Sequence, residues 1–262
     1  MNDAALQALI RGAEAAADVA GAVIRPFFRA GVTSDLKTDA SPVTIADRTA
    51  EQAMRAVLSE RFPGHGILGE EFGLQNPGAE LRWVLDPIDG TRAFITGRPH
   101  FGTLIALLEG DTPIIGIIDQ PVTGERWVGA RGLPTRFSGP FGGTPRTRAC
   151  PAIGQAELGA TTPDMFQGGD AAKWAGLTRQ VGRTYYGGDC YTYGLLALGQ
   201  VDISVDATMK IWDWAALVPV VEGAGGRVTD WQGNPMRPDG DGRTLAVGDP
   251  ALLPQVLAVL AS

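Results

Sequence analysis

"LRWVLDPIDGT", residues 81–91, runs from an apolar stretch straight into two carboxylates three positions apart. The opening "LRWVL" is short, apolar and followed by turn residues, which predicts a buried strand ending at Asp86. Pro87 fixes the backbone after Asp86, and Gly90 permits a tight or left-handed turn beside Asp89. Thr91 adds a hydroxyl. A turn this stiff can aim Asp86, Asp89 and the Ile88 carbonyl at one point. Two readings stand open from the stretch alone. One is a strand-to-turn junction whose acids cap a helix. The other is a site for a hard divalent cation, which takes oxygen ligands and needs only a few carboxylates beside phosphate and water. Backbone N–H groups after Asp89 then begin a helix and face a phosphate.

Upstream, residues 3–30 read as a long alanine-rich helix broken by "RPFFRAG". Residues 31–43, "GVTSDLKTDASPV", are polar and turn-rich and predict a loop or mobile hairpin. Thr44 fits the N-cap of a helix over "IADRTAEQAMRAVLSERF" (45–62). Downstream, residues 101–131 hold three apolar runs joined by "EGD" and "PVTGE", an antiparallel meander. Residues 132–154 are rich in Gly, Pro and Arg. They predict a boundary between an N-terminal α+β lobe (1–140) and a C-terminal α/β lobe (141–262).

The second half alternates. Strands are expected at 156–162, 183–188, 201–206, 227–231 and 243–249. Helices are expected at 168–180, 189–200, 212–226 and 250–262. Such alternation predicts helices layered on a sheet.

The chain has 262 residues, 44% hydrophobic and 19% charged, enough apolar content for a sizeable core. A net charge of −7 argues against nonspecific nucleic-acid binding, which rewards clustered Lys and Arg. It does not exclude a phosphorylated substrate, because metal ions can supply the compensating charge locally. Cys150 and Cys190 form neither a CxxC nor a zinc-ligand set, and read as reduced thiols. The N-terminal helix is interrupted by Asp3, Arg11, Glu14 and Asp18 and lacks the basic start and apolar block of a signal peptide. No run approaches the ~18 apolar residues of a membrane span. The expectation is a soluble cytoplasmic protein without a membrane or nucleic-acid partner.

Three further acids stand in marked settings. "GEEFG" (69–73) places Glu70 and Glu71 after an apolar "GIL"; "WDWAA" (212–216) opens a helix with Asp213; "PVTIAD" (42–47) puts Asp47 in a first helical turn. Each alone has an ordinary reading, as a solvated acidic turn or an acid complementing a helix dipole. Their order and spacing together carry more. Through "PVTIAD", "GEE", "DPIDGT" and "WDWAALVPVVEGAGG" (212–226) the sequence resembles the inositol monophosphatase-like, lithium-sensitive phosphatases, which are metal-dependent phosphomonoesterases.

That resemblance implies an α+β fold, a layered αβαβα sandwich of the inositol monophosphatase/fructose bisphosphatase type, and a homodimer. It implies two or three Mg²⁺ ions per site. By position, Glu70, Asp86 and the Ile88 carbonyl would hold one. Asp86, Asp89 and Asp213 would hold a second, and Glu70 would help with a weaker third. Asp47 and Thr91 match the pair that orients the attacking water, with Glu70 beside them in the catalytic group. Asp89, with the backbone of Gly90 and Thr91, would hold the phosphate. Lys37 lies in the loop that closes over the metals in relatives. His65 and His100 read as structural or surface residues, and Cys190 as helix core.

"RPHFGT", "YYGGDCYTYGLLALGQVD" and "LVPVVEGAGG" resemble the bacterial histidinol-phosphate phosphatase branch. Inositol-type members usually carry a small residue where Asp189 stands. A carboxylate there suits the ammonium group of histidinol phosphate; its plainer reading is a helix N-cap. Asp206, seven residues before Asp213, matches the position of a Glu that touches the leaving group in many relatives. Arg183 precedes Tyr185 by two and shares its strand face. It is therefore a candidate stand-in for an Arg that relatives carry near "YGGDCY". The implied reaction is hydrolysis of histidinol phosphate to histidinol and phosphate by metal-activated water. The alternatives are inositol 1-phosphate, or a broad range of small phosphate monoesters. A nucleotide 3′-phosphatase or sugar bisphosphatase needs a larger or more basic pocket, for which the arginines do not visibly cluster. A non-catalytic regulator of the same fold would have no need of the whole acidic set.

Overall fold

The computed structural model describes residues 2–31, 34–36 and 42–261. Lys37 and its expected loop-closing role lie outside the described residues. Helix α1 (Asp3–Ile24) starts at Asn2, whose side chain accepts the Ala5 N–H at 2.9 Å. Its buried stripe of Leu9, Ile10, Ala13, Ala16, Ala17, Ala20 and Ile24 repeats at helical spacing. Strands β1 (Ser34–Leu36) and β2 (Pro42–Thr44) pair antiparallel, so the expected loop or hairpin is described at its two arms. Helix α2 (Ile45–Arg61) begins with a capping box: Thr44 Oγ accepts from Ala46 N–H at 3.1 Å, and Asp47 accepts from Thr44 N–H at 2.8 Å.

These helices cover a seven-stranded sheet. Its strands are β3 (Gly66–Gly69), β4 (Gly73–Gln75), β5 (Leu81–Asp89), β6 (Gly102–Glu109), β7 (Thr112–Gln120), β8 (Glu125–Ala130) and β9 (Leu133–Ser138). They lie in the order β4-β3-β5-β6-β7-β8-β9. Only the β3–β5 pair is parallel. A short helix α3 (Thr91–Ile95) follows β5. One face sends Trp83, Leu85, Ile105, Leu107, Ile115 and Ile117 against Met54 and Leu58 of α2 and the α1 stripe. The alternate residues, Val84, Leu104, Ala106, Leu108, Ile118 and Trp127, fill the opposite face. Because both faces are covered, every residue of β6 except Glu109 is buried.

The second sheet contains β10 (Glu157–Ala160), β11 (Arg183–Tyr186), β12 (Ile203–Asp206), β13 (Arg227–Thr229) and β14 (Thr244–Val247). Its order is β11-β10-β12-β14-β13, parallel at β10–β11 and β10–β12 and antiparallel elsewhere. Among the described residues of this half the helices α4 (Gly169–Thr178), α5 (Asp189–Ala197), α6 (Ile211–Trp214) and α7 (Leu217–Gly223) precede the final one. The last is α8 (Leu253–Leu260). Tyr193, Leu196, Trp214, Leu217, Val220 and Val221 from α5, α6 and α7 share one core with both sheets. On the outer face, Trp174 and Leu177 of α4 and Val256 and Leu260 of α8 pack on Leu158, Ile203, Val205 and Leu245. The layers therefore run helices, sheet, helices, sheet, helices, as an αβαβα sandwich. Helix α7 meets the first sheet at glycines. A Cβ on Gly116 would lie 2.0 Å from the Ala216 carbonyl oxygen, and one on Gly129 would lie 2.3 Å from Pro219.

Some boundaries differ from expectation. Strands β3 and β4 were not expected, and β5 continues to Asp89 instead of ending at Asp86. Strand β9 falls in the stretch read as a lobe boundary. It is an edge strand carrying Pro134 and Arg136, mostly exposed, so it shows no apolar run. The single helix expected at 212–226 is two, α6 and α7. No helix among the described residues is long and apolar enough to cross a membrane.

Candidate active site

Strand alternation alone would send Asp86 and Asp89 to opposite faces, because they are an odd number of residues apart. The register against β6 removes this conflict. Asp86 stands opposite Leu104 and Asp89 opposite Gly102, so three steps on β5 meet two on β6. The extra residue is a bulge, and it turns Asp89 to the side of Asp86. The bulge is pinned at each residue. Ile88 N–H donates to Asp86 Oδ1 (3.0 Å), Thr103 Oγ to the Pro87 carbonyl (2.8 Å), and Thr91 Oγ to the Ile88 carbonyl (3.0 Å). Gly90 turns the chain into α3 with φ +86°, where a side chain is strained.

Asp213 reaches the same place from α6. Its carboxylate accepts the Lys210 N–H at 2.7 Å, while neighbouring Trp214 is sunk in the middle core. Carboxylate oxygens of Asp86, Asp89 and Asp213 lie within 4.8 Å of one another. Asp89 is also held by α5, whose Cys190 N–H donates to its Oδ2 at 2.6 Å. Burial, and then the charges of Glu70, Asp89, Asp213 and Asp47, push the Asp86 carboxyl well above the usual range. Burial and then Asp213 push Asp89 up to about 7, against the pull of the Cys190 N–H. The donors are oxygens alone and their charges repel, a set that fits a hard divalent cation.

Asp47 and Thr91 meet beside this cluster. Asp47 Oδ2 accepts from the Thr44 N–H and hydroxyl, and its Oδ1 lies 3.4 Å from Thr91 Oγ. Burial raises Asp47 to about 6; hydrogen bonds from Thr44 oppose this and the Glu71 charge adds to it. Glu70 N–H donates to the Leu85 carbonyl at 3.1 Å, which ties the "GEE" turn to β5 one residue before Asp86.

Asp189 is brought to the cluster too. The N-cap of α5 is Gly188, so Asp189 is the first helical residue and not the cap. Its φ of +42° is left-handed, an uncommon conformation for a residue with a side chain. Its carboxylate lies against Gly90, where a Cβ would sit 3.0 Å from Asp189 Oδ2. Burial and the charges of Asp89 and Asp206 raise it to about 8. Asp206 and Arg183 are placed differently from the expectation. Asp206 is buried with its oxygens engaged, Oδ1 by the Thr161 N–H (2.8 Å) and Oδ2 by the Tyr193 hydroxyl (2.8 Å). Arg183 is exposed at the start of β11 and paired with Glu157 through Nε at 2.7 Å. The "YYGGD" end of that strand is three residues further on, about 10 Å.

His65 stacks on Phe62 with ring centroids 5.0 Å apart, and His100 is exposed. Cys190 is buried, and burial pushes its thiol well above the ordinary value. Sequence reasoning passed over Glu51, which is fully buried and grips the turn that carries Glu70. The available signal was spacing: Asp47, Glu51 and Arg55 recur every four residues.

The inositol monophosphatase family model matches residues 5–261. The chain belongs to the inositol monophosphatase family. It is 46% identical over 235 residues to the bifunctional phosphatase IMPL2, chloroplastic, of Arabidopsis thaliana, covering 89% of this chain and 67% of that one. It is 38% identical over 203 residues to a histidinol-phosphatase of Mycobacterium tuberculosis, covering 76% and 78%. A solved inositol monophosphatase from Zymomonas mobilis superposes with a TM-score of 0.88 at 50% identity, covering 97% of both chains. As a member of this family the protein is a phosphoric monoester hydrolase. Its acidic cluster is the part of the site suited to a metal.

Proposed function

We propose that the protein hydrolyses histidinol phosphate to histidinol and inorganic phosphate in a Mg²⁺-dependent reaction. One observation carries the choice of substrate. A carboxyl group, Asp189, is set against Gly90 beside the acids; an ammonium on the leaving group would offset the burial and neighbouring charges that raise it to about 8, and would pair with its ionised form. The similarity to a histidinol-phosphatase supports the same reading. Glu70, Asp86, the Ile88 carbonyl, Asp89 and Asp213 would hold two or three Mg²⁺ ions. When bound, the ions supply positive charge to the phosphoryl group and acidify water. The chain does the rest by positioning, which is most of what phosphoryl transfer asks of a protein. Asp47 Oδ1 and Thr91 Oγ, 3.4 Å apart, are placed to orient a water between them and the phosphate. The Gly90 and Thr91 N–H groups hold phosphate oxygens. Asp189 pairs with the substrate ammonium, while Asp206 and Arg183 are engaged by Thr161, Tyr193 and Glu157. The reading extends to a cytoplasmic homodimer acting on small phosphate monoesters.

A second reading, inositol 1-phosphate or a broad set of monoesters, is favoured by the 50% identity to a solved inositol monophosphatase. A phosphate-release screen separates the two. Histidinol phosphate, inositol 1-phosphate, fructose bisphosphate and adenosine bisphosphate are compared in Mg²⁺, and histidinol phosphate is expected to give the highest kcat/KM. A higher value for inositol 1-phosphate overturns the choice of substrate and leaves the phosphomonoesterase. Release from none of the four favours a non-catalytic regulator.

A further inference from the structure

Asp47, Glu51 and Arg55 stand at four-residue steps on α2 and so share one face of the helix. Asp47 opens this stripe at the active site. One turn later the Glu51 carboxylate, 0% exposed, enters the turn between β3 and β4. Its Oε2 accepts the Glu71 N–H at 2.7 Å. Its Oε1 accepts the Phe72 N–H at 3.2 Å and the Arg55 Nε–H at 2.7 Å. Arg55 continues the line and donates to the Gly73 carbonyl. The fit admits no side chain at Gly69, where a Cβ would stand 1.9 Å from Glu51 Oε1.

The "GEEFG" turn is thereby held from both sides. The Glu70 N–H is bonded to the Leu85 carbonyl of β5, and the next two N–H groups are bonded to Glu51. A buried ion pair is a poor source of stability, since well-packed apolar groups often do as well. What a carboxylate does here that an apolar side chain cannot is fix two successive backbone N–H groups. With the Glu70 N–H they fix the backbone from which Glu70 and Glu71 project.

We propose that Glu51 is a positioning residue for the metal-binding acid Glu70: by locking the turn, it sets cation affinity and leaves the chemical step to the acids themselves. The inference rests on the metal-dependent reading above. Loss of a partner behind a metal ligand costs about 10- to 100-fold in affinity or activity. Glu51→Gln and Arg55→Gln are made in the full chain and checked by circular dichroism. Two quantities are then read: Mg²⁺ binding by calorimetry without substrate, and the Mg²⁺ concentration giving half-maximal phosphate release. For Glu51→Gln both should weaken by about 10- to 100-fold while kcat at saturating Mg²⁺ stays within about a factor of three. Arg55→Gln should move both in the same direction by less, and it decides the matter alone if Glu51→Gln does not fold. Folded variants with wild-type Mg²⁺ binding overturn the proposal, as does a fall in kcat with unchanged binding. A wild type that responds to Mg²⁺ in neither readout overturns the metal reading itself.

Discussion

Replacing Asp213 by Asn tests whether the acids are a strained cluster that awaits a cation. The substitution keeps shape and cap, since an amide oxygen accepts the Lys210 N–H as the carboxylate does at 2.7 Å. Trp214, which anchors α6, is untouched. The charge is lost, and one acceptor oxygen becomes an NH₂ donor. Two charges within 4.8 Å repel by about 3 kcal/mol at an effective dielectric of ~20. The sign with pH follows from Asp89, whose carboxyl is raised from 3.8 to about 7 by burial and then by Asp213. A carboxyl raised on folding contributes stability that is complete below its unfolded value and is lost as pH climbs through its folded value. The metal-free wild type is therefore more stable at pH 5 than at pH 8. Asp213→Asn removes the largest neighbouring charge, so in chelator at pH 8 the variant should be the more stable by about 1–3 kcal/mol. For a chain of this size each kcal/mol moves Tm by about 2–4 °C. At pH 5, where Asp89 holds its proton in both proteins, the difference should shrink. Mg²⁺ should reverse the order, because a ligand at 100 times its Kd stabilises by about 2.7 kcal/mol and the variant binds it less well. Turnover should fall by at least about 10²-fold. The assay is a set of calorimetric melts at pH 5 and pH 8, in chelator and in Mg²⁺, beside phosphate release. A folded variant that melts below the wild type in chelator at pH 8 refutes the account of repulsion. Near-normal turnover at saturating Mg²⁺ refutes the role of Asp213 as a ligand.

Asp189→Asn should lower kcat/KM for histidinol phosphate by about ten- to a hundredfold, the worth of one charge-assisted hydrogen bond, and spare glycerol phosphate. An equal fall for both esters would make Asp189 structural. Gly90→Ala should cost about 1–2 kcal/mol from φ +86° alone, with further loss where its Cβ meets Asp189, and re-aiming Asp89 should depress activity; an unchanged melt and unchanged turnover would contradict the pinned turn. Excess chelator should abolish phosphate release and lithium should inhibit it; full activity in chelator would remove the metal mechanism altogether.

The "DPIDGT" turn was legible because its constraints are adjacent in sequence: acid, proline, acid, glycine. The bulge that makes the two acids neighbours was not, since alternation predicts opposite faces and only the register with β6 corrects it. Asp213 stood out as an acid opening a helix, but its role as a ligand came through the resemblance, because a first-turn acid has no signature of its own. Transfer by position made Asp206 a candidate and strand alternation made Arg183 one, yet both are engaged elsewhere in the fold. Their partners, Glu157, Thr161 and Tyr193, come from neighbouring elements that the one-dimensional reading does not bring near. Strands β3, β4 and β9 escaped notice because they are glycine-rich or largely exposed and lack alternation. Beyond its four-residue spacing, nothing in the sequence sets Glu51 apart from the other charges of its helix. Its burial depends on the bare backbone of Gly69, eighteen residues on.

The acids come from three layers of the sandwich, and this says how their repulsion is tolerated. Asp47 belongs to the outer helix α2, Asp86 and Asp89 to the first sheet, and Asp189 and Asp213 to the middle helices. The chain neighbours of these acids are buried apolar residues: Ala46, Leu85, Ile88, Cys190 and Trp214. Full burial of one large apolar side chain contributes about 1.5–3 kcal/mol. That is comparable to the repulsion between one pair of acids, so the large anchors, Leu85, Ile88 and Trp214, can each hold an acid in place against about one neighbour. Without a cation the layers are joined by these cores and by a few hydrogen bonds such as that from Cys190 N–H to Asp89, and the charges work against them. A cation bound by Asp86, Asp89 and Asp213 would tie the first sheet to α6 and turn the least favourable contact between those layers into a cross-link.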